Sequence, residues 1–359
     1  MPEDDLGHVP LVGFVLAETS GGIGRHVRDV AARLTDTGQP PFLVAPLAVI
    51  ERFSLGDVAV VTAVAVGEAA SFPAARRAVR RLAMSCDVVH AHGLRAGALA
   101  ARARAADEAP LVQTWHNKPP VGGVAGRVGR QLARISARGA DLTLAVSDDL
   151  VALAVESGAR SARWTPVAAP LLGPPERGAH DVRVELGATD RSLVVAVGRL
   201  ATQKGFDVLA AAAEILADET NTPVVAVAGE GPERGRLSGG ALLLLGAGVD
   251  VASLLAAADV VVMPSRWEGW PLVAQEALRA GKALVASRVG GLPQLAGEAA
   301  EWVPPDDPGA LASALRMLLA DSGRRASLEV AAQAQALRLP DQAATMTALL
   351  AAYREVTRR

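Results

Sequence analysis

Apolar and polar positions along this chain follow one repeating rhythm. A short run of apolar residues gives way to a polar or glycine-containing stretch, then to a longer segment with apolar positions three and four apart. Residues 11–17 (LVGFVLA) predict the first strand, and 25–35 the helix after it. Residues 58–66 predict a strand and 72–84 a helix, 87–92 a strand and 94–106 a helix, and 111–114 a strand. A helix over 126–138 and a strand over 142–146 follow, and Ser147 then caps a helix opening on Asp148 and Asp149. Strands that are apolar throughout are buried on both faces. Repeated strand–helix alternation therefore means a parallel sheet with helices on either side.

The rhythm breaks from Trp164 to Asp181 (WTPVAAPLLGPPERGAHD), a Pro- and Gly-rich stretch that reads as a linker between domains. It then restarts, with strands over 193–197, 224–228, 242–245, 260–263 and 284–287 and helices over 205–217, 251–258, 272–280 and 308–320. A last helix covers about 342–357. The expected organisation is a first α/β domain over 1–168, a second over 169–338, and a C-terminal helix within 339–359 that packs back toward the first.

Composition narrows this further. Half of the 359 residues are hydrophobic but only 3% are aromatic, so the core must be built from Ala, Val and Leu. The one cysteine, Cys86, excludes an intrachain disulfide framework and reads as a small buried hydrophobe. The acidic start MPEDDLGHVP lacks the pattern of a signal peptide, and no apolar run reaches membrane-spanning length. Net charge is −2, and no nucleic-acid partner is expected.

The candidate chemistry sits where strands end. The stretch DVVVMPSRWEGWPLVAQEALRAG (259–281) reads as a buried strand, a polar elbow, Pro271 at the start of a helix, and a stop at Gly281. Loops at the carboxyl ends of parallel strands bind ligands, and helix amino ends favour phosphate. Glu268 lies on the elbow, wedged between Trp267 and Gly269-Trp270, and Glu276 lies among apolar helix neighbours. A carboxylate in such company is desolvated and needs a partner. A second anchor, VVAVGRLATQKGFDVL, ends a strand in Gly198-Arg199 and opens the next helix with Lys204-Gly205, two cations suited to a diphosphate. In the first half, Glu18-Thr19-Ser20-Gly21-Gly22-Ile23-Gly24 is a strand–glycine-turn–helix geometry that brings backbone N–H groups near an anion. That turn is also similar to the one in short-chain dehydrogenases. Their Tyr-x-x-x-Lys pair is absent, because the only tyrosine is Tyr353 and Thr357 stands four residues on.

EGWPLVAQEA, with G-R-L-x-x-x-K-G upstream, resembles the signatures of retaining glycosyltransferases of the family-four (group 1) type. The likeness runs from about Leu11 to Trp302. It implies the GT-B fold, two Rossmann-like doubly wound parallel-sheet domains facing across a cleft, and transfer of a sugar from a nucleotide-diphosphate sugar to a hydroxyl acceptor. By the same resemblance Arg199 and Lys204 serve the leaving diphosphate, Glu268 the donor sugar and Glu276 the ribose. Gly198 and the segment Gly269, Trp270, Pro271, Leu272 and Val273 line the donor site. Gly21 and Gly22 match the glycine loop of the amino half, and His116 in TWHN matches a histidine facing the donor sugar. His92 shares a strand face with His90 and is assigned to the acceptor side. No Asp-x-Asp motif sits at a strand end, so no metal and no cofactor beyond the sugar nucleotide are expected. The chain departs from the pattern after Gly231-Pro232, in the Gly246-Ala247-Gly248-Val249-Asp250 loop and at Thr165-Pro166-Val167, which bears on base and donor identity. A nucleotide-sugar epimerase and a non-catalytic sugar-nucleotide-binding protein are the alternatives.

Two arginine tracks complete the reading: Arg76, Arg77, Arg80 and Arg81 on one predicted helix, and Arg127, Arg130, Arg134 and Arg138 on another. They are either solvated faces or contacts for an anionic membrane or acceptor. The acceptor class stays open among small-molecule, glycan and lipid-linked acceptors. The expected location is the cytoplasm, with contact at the inner face of the membrane as its variant.

Overall fold

The structure is a computed structural model that describes residues 9–19, 21–68, 70–105, 107–217 and 221–358. The acidic start, Ser20 of the glycine turn and Ala106 at a predicted helix end lie outside the described residues. The chain divides into two compact units, Met1–Ala168 with Pro340–Arg359, and Ala169–Leu339.

The first unit is built on a parallel seven-stranded sheet of β1 (Val12–Leu16), β2 (Phe42–Ala45), β3 (Val60–Ala63), β4 (Val88–His92), β5 (Leu111–Trp115), β6 (Leu142–Ala145) and β7 (Ala162–Trp164). Their spatial order is β3-β2-β1-β4-β5-β6-β7, which reverses direction between β1 and β4. Around them lie α1 (Gly22–Asp36), α2 (Leu47–Arg52), α3 (Phe72–Ala83), α4 (Leu94–Ala103), α5 (Gly123–Gly139) and α6 (Asp148–Glu156). Ala-rich helices approach closely: a Cβ on Gly139 of α5 would stand 2.4 Å from Ala101 of α4. Cys86 packs under β1, and burial pushes its thiol up to about 12.

The second unit holds a parallel six-stranded sheet in the order β10-β9-β8-β11-β12-β13. Its strands are β8 (Leu193–Val197), β9 (Val224–Ala228), β10 (Leu243–Gly246), β11 (Val260–Met263), β12 (Ala283–Ser287) and β13 (Ala300–Val303). Its helices are α7 (Ala179–Glu185), α8 (Phe206–Ala217), α9 (Arg234–Leu237), α10 (Val251–Ala257), α11 (Leu272–Arg279), α12 (Leu292–Ala296), α13 (Pro308–Ala320) and α14 (Ser322–Ala336). Here the order reverses between β8 and β11. The final helix, α15 (Gln342–Thr357), returns to the first unit, where Leu349, Ala352, Tyr353 and Val356 join the core beside β1 and β4.

At the amino edge of both sheets an aspartate ahead of an apolar strand ties that strand to its neighbour. Asp87 Oδ2 accepts the Leu11 N–H at 2.8 Å, Asp141 Oδ2 the Leu111 N–H at 2.8 Å, and Asp259 Oδ2 the Leu193 N–H at 2.7 Å. These carboxylates are committed to structure, and the opposite, carboxyl edge is left to carry the chemistry.

Several boundaries differ from the sequence reading. The sequence pattern does not announce strands β2, β7 and β13 or helices α2, α7, α9, α12 and α14. β3 is shorter than the expected 58–66 and exposed along its whole length, because an edge strand here carries apolar side chains without a covering helix. Helix α1 begins at Gly22, three residues before expected, with Gly21 as its cap. The stretch taken as linker is trimmed at both ends by β7 and α7, and the division between units falls at Ala168.

Tyr353 is fully buried and its hydroxyl lies 2.8 Å from His90 Nδ1. Tyr353→Phe removes that bond and leaves a buried ring nitrogen without its partner. We expect a loss of about 1–3 kcal/mol, read as earlier melting of the first unit with the second unchanged. Unchanged melting would mean that the bond contributes nothing.

Candidate functional site

Both sheets reverse their strand order once, and the loops flanking a reversal form a crevice at the carboxyl edge. In the second unit those loops follow β8 and β11, and they bring two of the expected residues together. After β8, Gly198 and Arg199 lead into a 3-10 turn, Thr202–Lys204, closed by Gly205 at φ +65°. A Cβ on Gly205 would lie 2.0 Å from the Pro264 carbonyl oxygen, so only glycine allows this loop to touch the one after β11. The contact is fastened by hydrogen bonds. The Arg266 N–H donates to the Gln203 carbonyl at 2.8 Å, and Gln203 Nε2 donates to the Trp267 carbonyl at 2.8 Å. The Arg266 guanidinium grips both Asp207 carboxylate oxygens at 2.8 Å and reaches Asp306 at 2.6 Å. Its hydrogen bonds hold the Asp207 carboxyl below the usual carboxylate range.

Inside this clasp Glu268 is 4% exposed. Lys204 Nζ lies 2.6 Å from Glu268 Oε1, and Ser265 Oγ donates to the same oxygen at 2.7 Å. Oε2 has no protein donor among the described residues. Behind it, the Glu268 carbonyl accepts the Gly291 N–H at 3.0 Å. A Cβ on Gly290 (φ +53°) would fall 1.8 Å from that carbonyl, so the elbow is locked from both sides. Pro271 caps α11, one residue outside the helix where a first helical residue was expected, and Leu272 and Val273 open its first turn. The N–H groups of a first turn have no intrahelical acceptor and carry the positive end of the helix dipole. Glu276 lies buried one turn further along.

Arg199 is exposed, and its guanidinium makes no hydrogen bond or ion pair among the described residues. Gly198 itself packs beside the lysine, where a Cβ would stand 3.7 Å from Lys204 Cε. The two cations therefore occupy one loop, the first unpaired and the second held by Glu268.

The first unit carries a different arrangement at its own reversal. Gly21 and Gly22 start α1 after β1, and His90 and His92 end β4 on one face with ring centroids 4.1 Å apart. His116 follows β5, and its Nε2 lies 3.0 Å from His92 Nδ1 with the rings stacked. His26 of α1 packs against both at 5.7 and 5.8 Å. His90 is bound at both nitrogens, by Tyr353 and by Thr114 Oγ1 at 2.8 Å. All four imidazoles are buried, and burial is the first cause of their shifts. It pushes His26 down to about 4 and His90 to about 3, and holds His92 and His116 well below the ordinary value. His92, expected on the acceptor side, is turned inward and bound to His116, with its Nε2 lacking a partner among the described residues. Among the described residues no group of three or more His, Cys, Asp or Glu could hold a metal ion.

Sequence reasoning missed Ser265, the clasp residues Gln203 and Arg266, and the contribution of His26. Ser265 stood three residues before Glu268 with no periodic signal. His26 falls on the buried face of α1, and that position was its only clue.

Two doubly wound parallel α/β units, with a lysine-paired carboxylate beside a helix start, define a protein of the GT-B glycosyltransferase class. The model of the glycosyl transferases group 1 family matches residues 191–321, and that of the glycosyl transferase 4-like domain matches residues 21–170. A D-inositol 3-phosphate glycosyltransferase from Xylanimonas cellulosilytica is 32% identical, covering 76% of this chain and 73% of the relative. One from Salinispora arenicola is 31% identical, covering 78% and 71%. Among solved structures, Anabaena HepE in complex with UDP-glucose superposes with a TM-score of 0.80 at 19% identity, over 96% of this chain and 99% of that one. A sucrose-phosphate synthase from Thermosynechococcus elongatus gives 0.78 at 19% identity, over 96% and 99%. The chain belongs to the group 1 glycosyltransferases, of the family-four type.

The histidine cluster makes the first unit sensitive to acid. Unfolded imidazoles take up protons near 6.5, whereas folded His26 resists until about 4 and His90 until about 3. The unfolded chain binds more protons throughout that interval, so stability is lost as pH falls from about 7 toward 4. His26 alone accounts for roughly 3 kcal/mol. Hydrogen exchange followed by region should show the first unit's core amides losing protection between pH 7.5 and 4.5, and His26→Phe should flatten the dependence. Equal protection at both pH values would contradict a neutral, buried cluster.

Proposed function

We propose that this chain moves a sugar from a nucleotide-diphosphate sugar to a hydroxyl acceptor, with retention of anomeric configuration and without a metal ion. The observation that carries this reading is Glu268, buried beside the start of α11 with Lys204 and Ser265 both on Oε1. Pairing through one oxygen fixes the carboxylate's orientation and leaves Oε2 for hydroxyls of the donor sugar. Lys204 Nζ, the Arg199 guanidinium and the N–H groups at Leu272 and Val273 form a positive rim suited to the diphosphate, with Glu276 further along α11 for the ribose.

In the reaction the bond between the anomeric carbon and the diphosphate oxygen breaks, and its electron pair stays on the diphosphate. The acceptor oxygen bonds the same carbon, and the acceptor proton passes to the departing phosphate. Negative charge grows on the diphosphate as the bond lengthens, so cations placed before the reaction stabilise the transition state more than the ground state. Complexes of HepE with UDP-glucose support a sugar-nucleotide donor, and the inositol phosphate glycosyltransferases support a hydroxyl acceptor.

Glu268→Gln and Lys204→Gln should each lower donor turnover by about a hundredfold or more. Ser265→Ala, which only loosens the carboxylate, should lower it by about tenfold. A panel of nucleotide sugars, read as thermal shifts, identifies the donor and checks that the variants remain folded. Turnover near the wild-type level in Glu268→Gln would end the assignment, and activity abolished by EDTA would end its metal-free part.

A further inference from the structure

Helix α5 exposes a face that its own unit leaves uncovered. On one side Gly126, Gly129, Ala133, Ser136 and Ala137 are buried, the two glycines under the residues 119–121 and Ser136 against Gln113 of β5. With 3.6 residues per turn, Arg127, Arg130, Arg134 and Arg138 fall in the adjoining sector, spanning about 80° of the helix. Beyond them Val124 and Val128 point outward, 66% and 52% exposed, with half-buried Ile135 between them around the axis. Val121 stands 95% exposed just before the helix. It is held there because Gly129 leaves room for a strap: a Cβ at that position would lie 2.9 Å from the rings of both Pro119 and Pro120.

Single exposed valines need no explanation, but three in one register beside a cationic stripe do. A helix serving only the sheet would put its apolar positions inward and leave the outer sector polar. The segment Gly123–Gly139 contains no acidic residue, and none of its four arginines has an ion-pair partner among the described residues. Lys118 in the strap is paired with Asp149 at 2.9 Å. The other arginine track is different. On α3, Arg80 pairs with Glu108 and Arg76 donates to the Arg102 carbonyl, while the exposed Phe72 and Met84 sit at opposite ends of the helix and form no stripe.

We propose that α5 and its strap dock the first unit on an anionic lipid bilayer. The valines enter the interface between headgroups and acyl chains, and the arginines meet lipid phosphates beside them. No helix among the described residues is long and apolar enough to cross a membrane, so this contact is peripheral. Helix α5 follows directly from β5, and a bilayer gripped there lies at the sheet edge that carries His92 and His116. Docking does not depend on the donor chemistry proposed above, and its test needs no substrate.

The experiment is flotation of the full chain with phosphatidylcholine vesicles, with and without phosphatidylglycerol. The chain should float with the anionic vesicles, remain behind with the neutral ones, and detach as salt is raised. Val124→Glu with Val128→Glu should lower partitioning by at least tenfold. Arg127→Ser with Arg134→Ser should lower it about thirtyfold, at roughly fivefold per arginine near the surface. Arg77→Ser with Arg81→Ser on α3 should change it less than twofold, and circular dichroism should be the same for all three pairs. Failure of the native chain to float with phosphatidylglycerol overturns the proposal, as does binding that the valine pair leaves intact. An equal loss from the α3 pair also overturns the assignment to α5, and so does a dimer in solution that the valine pair dissolves, which would give the face to a second copy.

Discussion

A carboxylate and an ammonium group, both largely withdrawn from water, meet at the carboxyl edge of the second sheet, and the loops around them are shaped to keep that meeting. Glu268 arrives on the elbow after β11 and Lys204 on the 3-10 turn after β8. The two loops are fastened to one another by the glycine contact at Gly205 and by the Arg266 bridge to Asp207 and Asp306. Removing one member of such a pair leaves an uncompensated buried charge, a loss on the order of 3–5 kcal/mol. The pair is therefore a structural constraint on the second unit as well as, on the proposed reading, the centre of its chemistry. Convergence of the two loops follows from topology: β8 and β11 are neighbours only because the strand order reverses there.

Much of this was readable before any coordinates. The β8, β9 and β11 boundaries and those of α13 and α15 coincide with the apolar runs, because a strand buried on both faces has no polar residue to blur its ends. The signal failed where an element is short or its burial partial. β2 (FLVA) is too short to stand out beside Pro40 and Pro41, and β7 lies at an edge with mixed exposure. Helix α14 buries Ala332 alone, so its pattern carries little apolar periodicity. Around the elbow, the closeness of Lys204 and Glu268 follows from two motifs, G-R-L-x-x-x-K-G and EGWPLVAQEA, that stand at the ends of neighbouring strands. Ser265 was not legible, because a single hydroxyl contributes no pattern. Its importance comes from which carboxylate oxygen it reaches, and that is settled only by the folded elbow.

The two reversals hold opposite kinds of polar chemistry. In the second unit the loops bear formal charges, and fixed hydrogen bonds govern them. In the first, four imidazoles are packed so tightly that burial and mutual repulsion keep them neutral, bound to one another, to Thr114 and to Tyr353. A neutral donor–acceptor cluster can orient a hydroxyl without adding a formal charge. The charged pair belongs to the second unit and the neutral cluster to the first. On the proposed reading this division has a physical reason. Charge stabilises a transition state only where charge develops, and a cation near the sugar carbon would oppose the positive character that builds there as the glycosidic bond lengthens. The same division explains why Tyr353 belongs to the first unit even though it lies at the far end of the chain. Holding His90 at both nitrogens requires a buried hydroxyl on the side away from Thr114, and α15 returns across the sheet to supply it.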